Sequence, residues 1–191
     1  MSIYINDDIA NLDWQAALPL LSEQRREQCL RFKHELGRKT CAAAYLLLCE
    51  ALRKEYGIDE APVFEYGEHG KPAIVGHPDI HFNLSHCREA AICVVSDKPV
   101  GVDIETIRPY KETLARYVMN DDELEKILHA ENPALEFTKL WTQKEAVVKL
   151  SGHGITTDMK TVLTGLAPEG LPFELQTVVC NSYVYSLTKT I

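Results

Sequence analysis

The chain has 191 residues, 46% hydrophobic and 25% charged, with a formal net charge of −8. This is ordinary globular composition, long enough to bury a real core, and its acidic balance speaks against general nucleic-acid binding. No apolar run approaches the roughly 18 residues that span a membrane, and MSIYINDDIA lacks the basic start and apolar block of a signal peptide, so a cytoplasmic protein is expected. The six cysteines contain no CxxC pair and are expected as free thiols rather than zinc ligands or disulfides. Positive charge gathers between Arg25 and Lys39, which allows a local anion site inside an acidic protein.

In chain order, IYIN reads as an opening strand and is followed by a brief helical stretch ending near Pro19. Ser22 is placed to cap EQRREQCLRF, since its hydroxyl can accept from a free first-turn amide. The longest helical signal runs over residues 35–56, with Ala44, Leu47, Leu48, Ala51 and Leu52 at helical spacing and Gly57 as the stop. Arg38 and Lys39 fall in its first turns. A β-rich stretch follows: VFEY, a Gly-rich GEHGKPAIV, then IHFNLS, AAICVVS and VGVDIE, which predicts an antiparallel meander with SDKP as the turn between its last two strands. Helical pattern returns in NDDELEKILHA and in ALEFTKLWTQKEAVVKL, which SGHG ends; FELQTVV and SYVYSLT then read as two strands. Helix followed by sheet thus occurs twice. The pattern suggests an α+β protein of two similar lobes, residues 1–100 and 101–191, in one body without a low-complexity linker.

The chemistry concentrates in a few short motifs. Side chains alternate along a strand, so Asp103 and Glu105 of VGVDIE point the same way, roughly 7 Å apart along the backbone, while Val102 and Ile104 point the other way. Two carboxylates at a strand end suit a hard cation such as Mg²⁺, which prefers oxygen ligands and shares them with waters or phosphates. Trp141, Glu145 and Lys149 are spaced by four and share one helix face, so Glu145 could be a third ligand and Lys149 a phosphate contact. An exposed Glu-to-Lys pair is the plainer explanation of that spacing. Ser85 and His86 close the strand of FNLSH, and GKP offers Lys71 beside a glycine that permits close backbone approach.

Taken together and in this order, GKP, FNLSH, GVDIE and WTQKEAVVK resemble the Sfp-like group of 4′-phosphopantetheinyl transferases. The resemblance covers the chain from about Arg25 to Gly154, and the order and spacing are more specific than any component. It implies two α/β lobes in a pseudo-dimer with coenzyme A in the cleft between them. The implied reaction moves the phosphopantetheine arm of coenzyme A to a serine of an apo acyl or peptidyl carrier protein and releases adenosine 3′,5′-bisphosphate. The implied metal ligands, for Mg²⁺ or Mn²⁺, are Asp103, Glu105 and Glu145. Coenzyme A phosphates would meet Lys71, Ser85, His86 and Lys149, with Arg31, Arg38 and Lys39 facing the 3′-phosphate. Glu145 and Lys149 would be catalytic, and either Glu145 or a metal-bound water would take the serine proton. No nucleic acid or membrane is expected as partner, and internal pseudo-symmetry implies a monomer. The chain departs from the pattern at SGHGI, where relatives often carry a lysine between the glycines, which leaves the role of His153 open. Two other readings remain: a different metal-dependent phosphoryl or nucleotidyl enzyme, and a non-catalytic module that binds coenzyme A or a carrier.

Overall fold

The computed structural model describes residues 1–152, 158–163 and 172–191, so His153 lies outside the described residues. The first half begins with strand β1 (Ser2–Asn6), a short helix α1 (Trp14–Ala17) and a 3₁₀ turn containing Pro19. Helix α2 (Glu23–Arg31) starts at Ser22, whose hydroxyl accepts from the Arg25 amide at 3.3 Å. Helix α3 (Glu35–Tyr56) ends at Gly57, whose φ of 67° admits the left-handed cap. Strands β2 (Phe64–Tyr66) and β3 (Pro72–Ile74) form a separate antiparallel pair. Strands β4 (His81–His86) and β5 (Ala91–Ser96) join β1 in an antiparallel sheet of order β1-β5-β4.

The second half opens on β6 (Val100–Thr106), then runs through α4 (Glu112–Val118), α5 (Asp121–His129) and α6 (Pro133–Ser151). It closes with β7 (Phe173–Val179) and β8 (Tyr183–Thr190), giving a second antiparallel sheet of order β6-β8-β7. Mixed helix and antiparallel sheet agree with the expected α+β class. The single meander does not form. Strand β6 leaves β5 and pairs with β8, with Asp103 opposite Ser186 and Glu105 opposite Val184. Helix α4 is an element the sequence pattern left unread.

The reason for the split is the distribution of apolar faces. On β5, Ala91, Cys93 and Val95 join Phe82 of β4 in a core under α3, to which Ala42, Ala43 and Ala44 bring the helix close. Ile92 and Val94 point the other way and pack with Val100, Val102, Ile104, Tyr183 and Leu187 of the second sheet. Strand β5 is buried on both faces, so β6 gains more by lying against its outer face than by extending its edge. The turn around SDKP therefore passes the chain from one sheet to the other. Helix α6 covers the remaining face of the second sheet, where Val147, Val148 and Leu150 belong to a core with Met119, Ile127 and Phe137. No helix among the described residues is long and apolar enough to cross a membrane.

Gly101 sets the distance between α6 and β6. A Cβ at this position would stand 2.1 Å from the Ala146 carbonyl oxygen and 2.6 Å from the Leu150 amide, both rigid helix backbone. Gly101→Ala is expected to push the helix off the strand and cost about 1–3 kcal/mol, the usual size of an overpacking penalty. Thermal unfolding reads this as a Tm several degrees lower; an unchanged Tm would mean that α6 rides more loosely than its contacts indicate.

Candidate active site

With α6 held close, the alternation of β6 decides which side chains face it. Val102 and Ile104 enter the core between the sheets, and Ile104 is fully buried there. Asp103 takes the opposite face and is only 4% exposed. A buried carboxylate needs compensation, and three elements supply it. Lys149 of α6 places Nζ 2.6 Å from Asp103 Oδ1, and Ser85 of β4 donates its hydroxyl to the same oxygen at 2.9 Å. Lys149 also donates to Ser85 Oγ at 3.0 Å, and the Ile104 amide donates to that oxygen at 3.3 Å. Two residues earlier on β4, Asn83 Oδ1 accepts from the Val102 amide at 2.9 Å. Side chains of β4 thus take the place of a neighbouring strand along the free edge of β6.

The other oxygen, Asp103 Oδ2, is buried and has no hydrogen-bond partner, alone in this among the described side chains. Glu105 and Glu145 lie near it. Burial, and then the negative charge of Asp103, push the Glu145 carboxyl above its ordinary range, with Lys149 pulling the other way. Glu105 is raised for the same two reasons, opposed by the Trp141 side chain beside it and by Arg108 and Lys149. Among the described residues, no three His, Cys, Asp or Glu side chains stand close enough to form a finished metal-binding group. The donor chemistry nevertheless fits a hard divalent cation: three carboxylates, one bare buried oxygen, and mutual repulsion that positive charge would relieve.

Basic side chains border this acidic cluster. His86 keeps solvent contact, yet desolvation, then the charges of Arg25 and Lys149, lower its pKa. Arg25 is thereby placed in the same field as His86, and its guanidinium donates to the Cys41 carbonyl at 3.0 and 3.3 Å. Lys71 and Lys149 line a cleft of about 310 Å³ with Asn83, Glu145 and Gly152. The Lys71 ammonium donates to the Leu150 carbonyl at 2.8 Å, closing the C-terminal end of α6.

Of the residues singled out in the sequence, the structure brings together Asp103, Glu105, Glu145, Lys149, Ser85, His86 and Lys71. Arg31, Arg38 and Lys39 make other contacts. Arg31 is 79% exposed and pairs loosely with Glu27 at 3.8 Å. Arg38 donates to the Phe32 carbonyl and stacks over Trp14 at 4.8 Å, and Lys39 binds the Ala10 carbonyl and Glu35. Of the basic run, Arg25 is the residue whose charge acts on His86.

Comparisons with known proteins identify the family. Residues 99–181 match the family model of the 4′-phosphopantetheinyl transferase superfamily. Over 172 residues the chain is 30% identical to a 4′-phosphopantetheinyl transferase of Bacillus subtilis, covering 88% of this chain and 76% of that one. It is 27% identical over 171 residues to the transferase Sfp of Bacillus subtilis strain 168, with the same coverage of 88% and 76%. To the transferase psf-1 of Bacillus pumilus it is 30% identical over 169 residues, covering 87% and 72%. The chain therefore belongs to the 4′-phosphopantetheinyl transferase superfamily, and it is an enzyme of the transferase class.

The His86 environment gives a direct check on the cationic border. Because its folded pKa lies below the unfolded value of 6.5, the unfolded chain binds the proton first as pH falls. This histidine therefore subtracts stability as pH drops through the ordinary imidazole range. Imidazole proton NMR is expected to give a His86 midpoint below 6.5 that moves upward in Lys149→Met. A midpoint at or above 6.5 in the wild type would remove His86 from the field of Arg25 and Lys149.

Proposed function

We propose that this enzyme transfers the 4′-phosphopantetheine group of coenzyme A to a serine of an apo carrier protein, releasing adenosine 3′,5′-bisphosphate, with Mg²⁺ as the metal and Mn²⁺ as an alternative. The observation that carries this reading is Asp103: a buried carboxylate with one oxygen on Lys149 and Ser85 and the other bare, beside Glu105 and Glu145. Asp103, Glu105 and Glu145 would hold the cation. Bound there, it supplies positive charge to the coenzyme A diphosphate.

The chain's own groups divide the remaining work. Ser85, His86, Lys71 and Lys149 face the phosphates, and Arg25, whose charge acts on His86, joins Arg31, Arg38 and Lys39 as a candidate for the terminal phosphate. Glu145 takes the proton of the carrier serine as its oxygen attacks phosphorus. The bond from that phosphorus to the bridging oxygen breaks, and the Lys149 ammonium stabilises charge gathering on the departing nucleotide. A second cleft, of about 450 Å³, opens beyond Glu105 and Trp141 and is edged by Arg108 and Lys111, which supports approach of an acidic carrier from that side. Two units, each a three-stranded antiparallel sheet with a long helix, support the pseudo-dimeric division near residue 100.

Incubation with apo carrier, coenzyme A and Mg²⁺, followed by intact-mass measurement, tests the reaction; no phosphopantetheine adduct on any of several carriers would falsify it. Asp103→Ala is expected to abolish metal-dependent turnover in a folded protein, as checked by circular dichroism. For Lys149→Ala the expected loss is larger in kcat than in coenzyme A affinity, and equal losses would assign the lysine to ground-state binding instead.

A further inference from the structure

One residue of the WTQKEAVVK motif has no part in the chemistry above. Lys144 immediately precedes Glu145 but projects from α6 about 100° around the helix. Its side chain is 0% exposed, the most completely enclosed lysine among the described residues. Three groups meet it or its partner. Lys144 Nζ lies 2.8 Å from Glu123 Oε2 and donates to the Met159 carbonyl at 2.6 Å. The same Glu123 oxygen accepts from the Asn120 amide at 2.8 Å, completing the capping box of α5, and Asn120 Nδ2 donates to the Lys160 carbonyl at 3.2 Å. The ammonium thus ties α6 to the start of α5 and to the turn of residues 158–163.

A fully enclosed ion pair is a poor source of stability, because desolvation of both charges offsets their attraction and a well-packed apolar pair does as well or better. It is, however, directional in a way that apolar packing is not. The opposite side of α6 is anchored to the sheet: Thr142 Oγ1 meets Ser186 Oγ at 2.9 Å, and Thr188 Oγ1 donates to the Ala146 carbonyl at 2.9 Å. Apolar packing of α6 on Met119 and Ile127 also restrains it, but without the directionality of a hydrogen bond. Lys144 fixes the roll from the outer side, at the residue next to Glu145.

We propose that Lys144, through Glu123 and the Met159 carbonyl, is a positioning residue that sets the rotation of α6 and so aims Glu145 and Lys149 at Asp103. This rests on the role given to Glu145 above and adds a residue that never touches substrate. The test separates aim from stability. In Lys144→Met the Glu123 carboxylate is left buried and unpaired, and both Tm and kcat are expected to fall. In the double variant Glu123→Leu/Lys144→Met the unpaired charge is gone, so Tm is expected to return to within a few degrees of wild type. Its kcat for carrier modification is expected to stay at least about tenfold reduced, about 1.4 kcal/mol in the barrier, with KM for coenzyme A within about twofold.

A double variant with wild-type Tm and wild-type kcat would overturn the proposal, as would a loss confined to KM. A double variant that fails to fold would overturn it too, because the pair would then be a stability element. If the wild type itself modifies no carrier, the functional reading fails rather than this one. The aim of α6 is then still read from the His86 NMR midpoint, which shifts in the double variant if Lys149 is displaced and stays fixed if the proposal is wrong.

Discussion

Burying the carboxylate of Asp103 is the constraint from which the rest of the structure follows. A negative charge in this position is tolerable only with donors on it, and no single element can provide them. Ser85 comes from the last turn of one sheet's edge strand and Lys149 from the helix lying over the other sheet. The site therefore exists only when β4, β6 and α6 meet. Asn83 and Ser85 also satisfy two amides on β6, Val102 and Ile104, that would otherwise be buried without acceptors. The same two side chains that join the sheets complete the site, so its assembly and the closure of the fold are one event.

Charge is arranged against the average of the molecule. An enzyme of formal charge −8 attracts neither a polyanionic cofactor nor an acidic carrier through its overall field. The site divides charge into two zones. Carboxylates gather on one side, Asp103, Glu105 and Glu145, while Lys71 and Lys149 border them and the charge of Arg25 acts on the neighbouring His86. The inward acids make the site costly to build, which is expected where groups are placed for chemistry rather than for stability.

Much of this was legible in the sequence, and the failures have physical reasons. The limits of α3 and the shared face of Asp103 and Glu105 follow from periodicity and a glycine stop, which depend only on local geometry. The WTQKEAVVK spacing likewise places Glu145 and Lys149 on one face before any tertiary contact is known. The strand partners of β6 were misread because β5 and β6 are adjacent in the chain, whereas the choice between edge pairing and face packing depends on which surfaces remain apolar after α3 has docked. For the basic residues, net charge in a segment does not tell which of its side chains already have partners within the protein. Arg38 and Lys39 are held by the Phe32 and Ala10 carbonyls, contacts between segments that spacing does not encode. The pairing of Lys144 with Glu123 was hidden for the same reason.

The guanidinium of Arg25 illustrates what such tethering does. Two of its nitrogens are fixed on the Cys41 carbonyl, a third donates to Gln28, and the group lies 5.8 Å from the centre of the Tyr45 ring. A free surface arginine would surrender rotamer entropy on meeting an anion, about 0.5–1.5 kcal/mol for a long side chain. Here that ordering has already taken place during folding. The enclosed Tyr45, whose hydroxyl donates to the Pro62 carbonyl at 2.7 Å, keeps the aromatic plane beneath it immobile. A change deep in the first core, at Tyr45, would therefore loosen this cation with every charge still present.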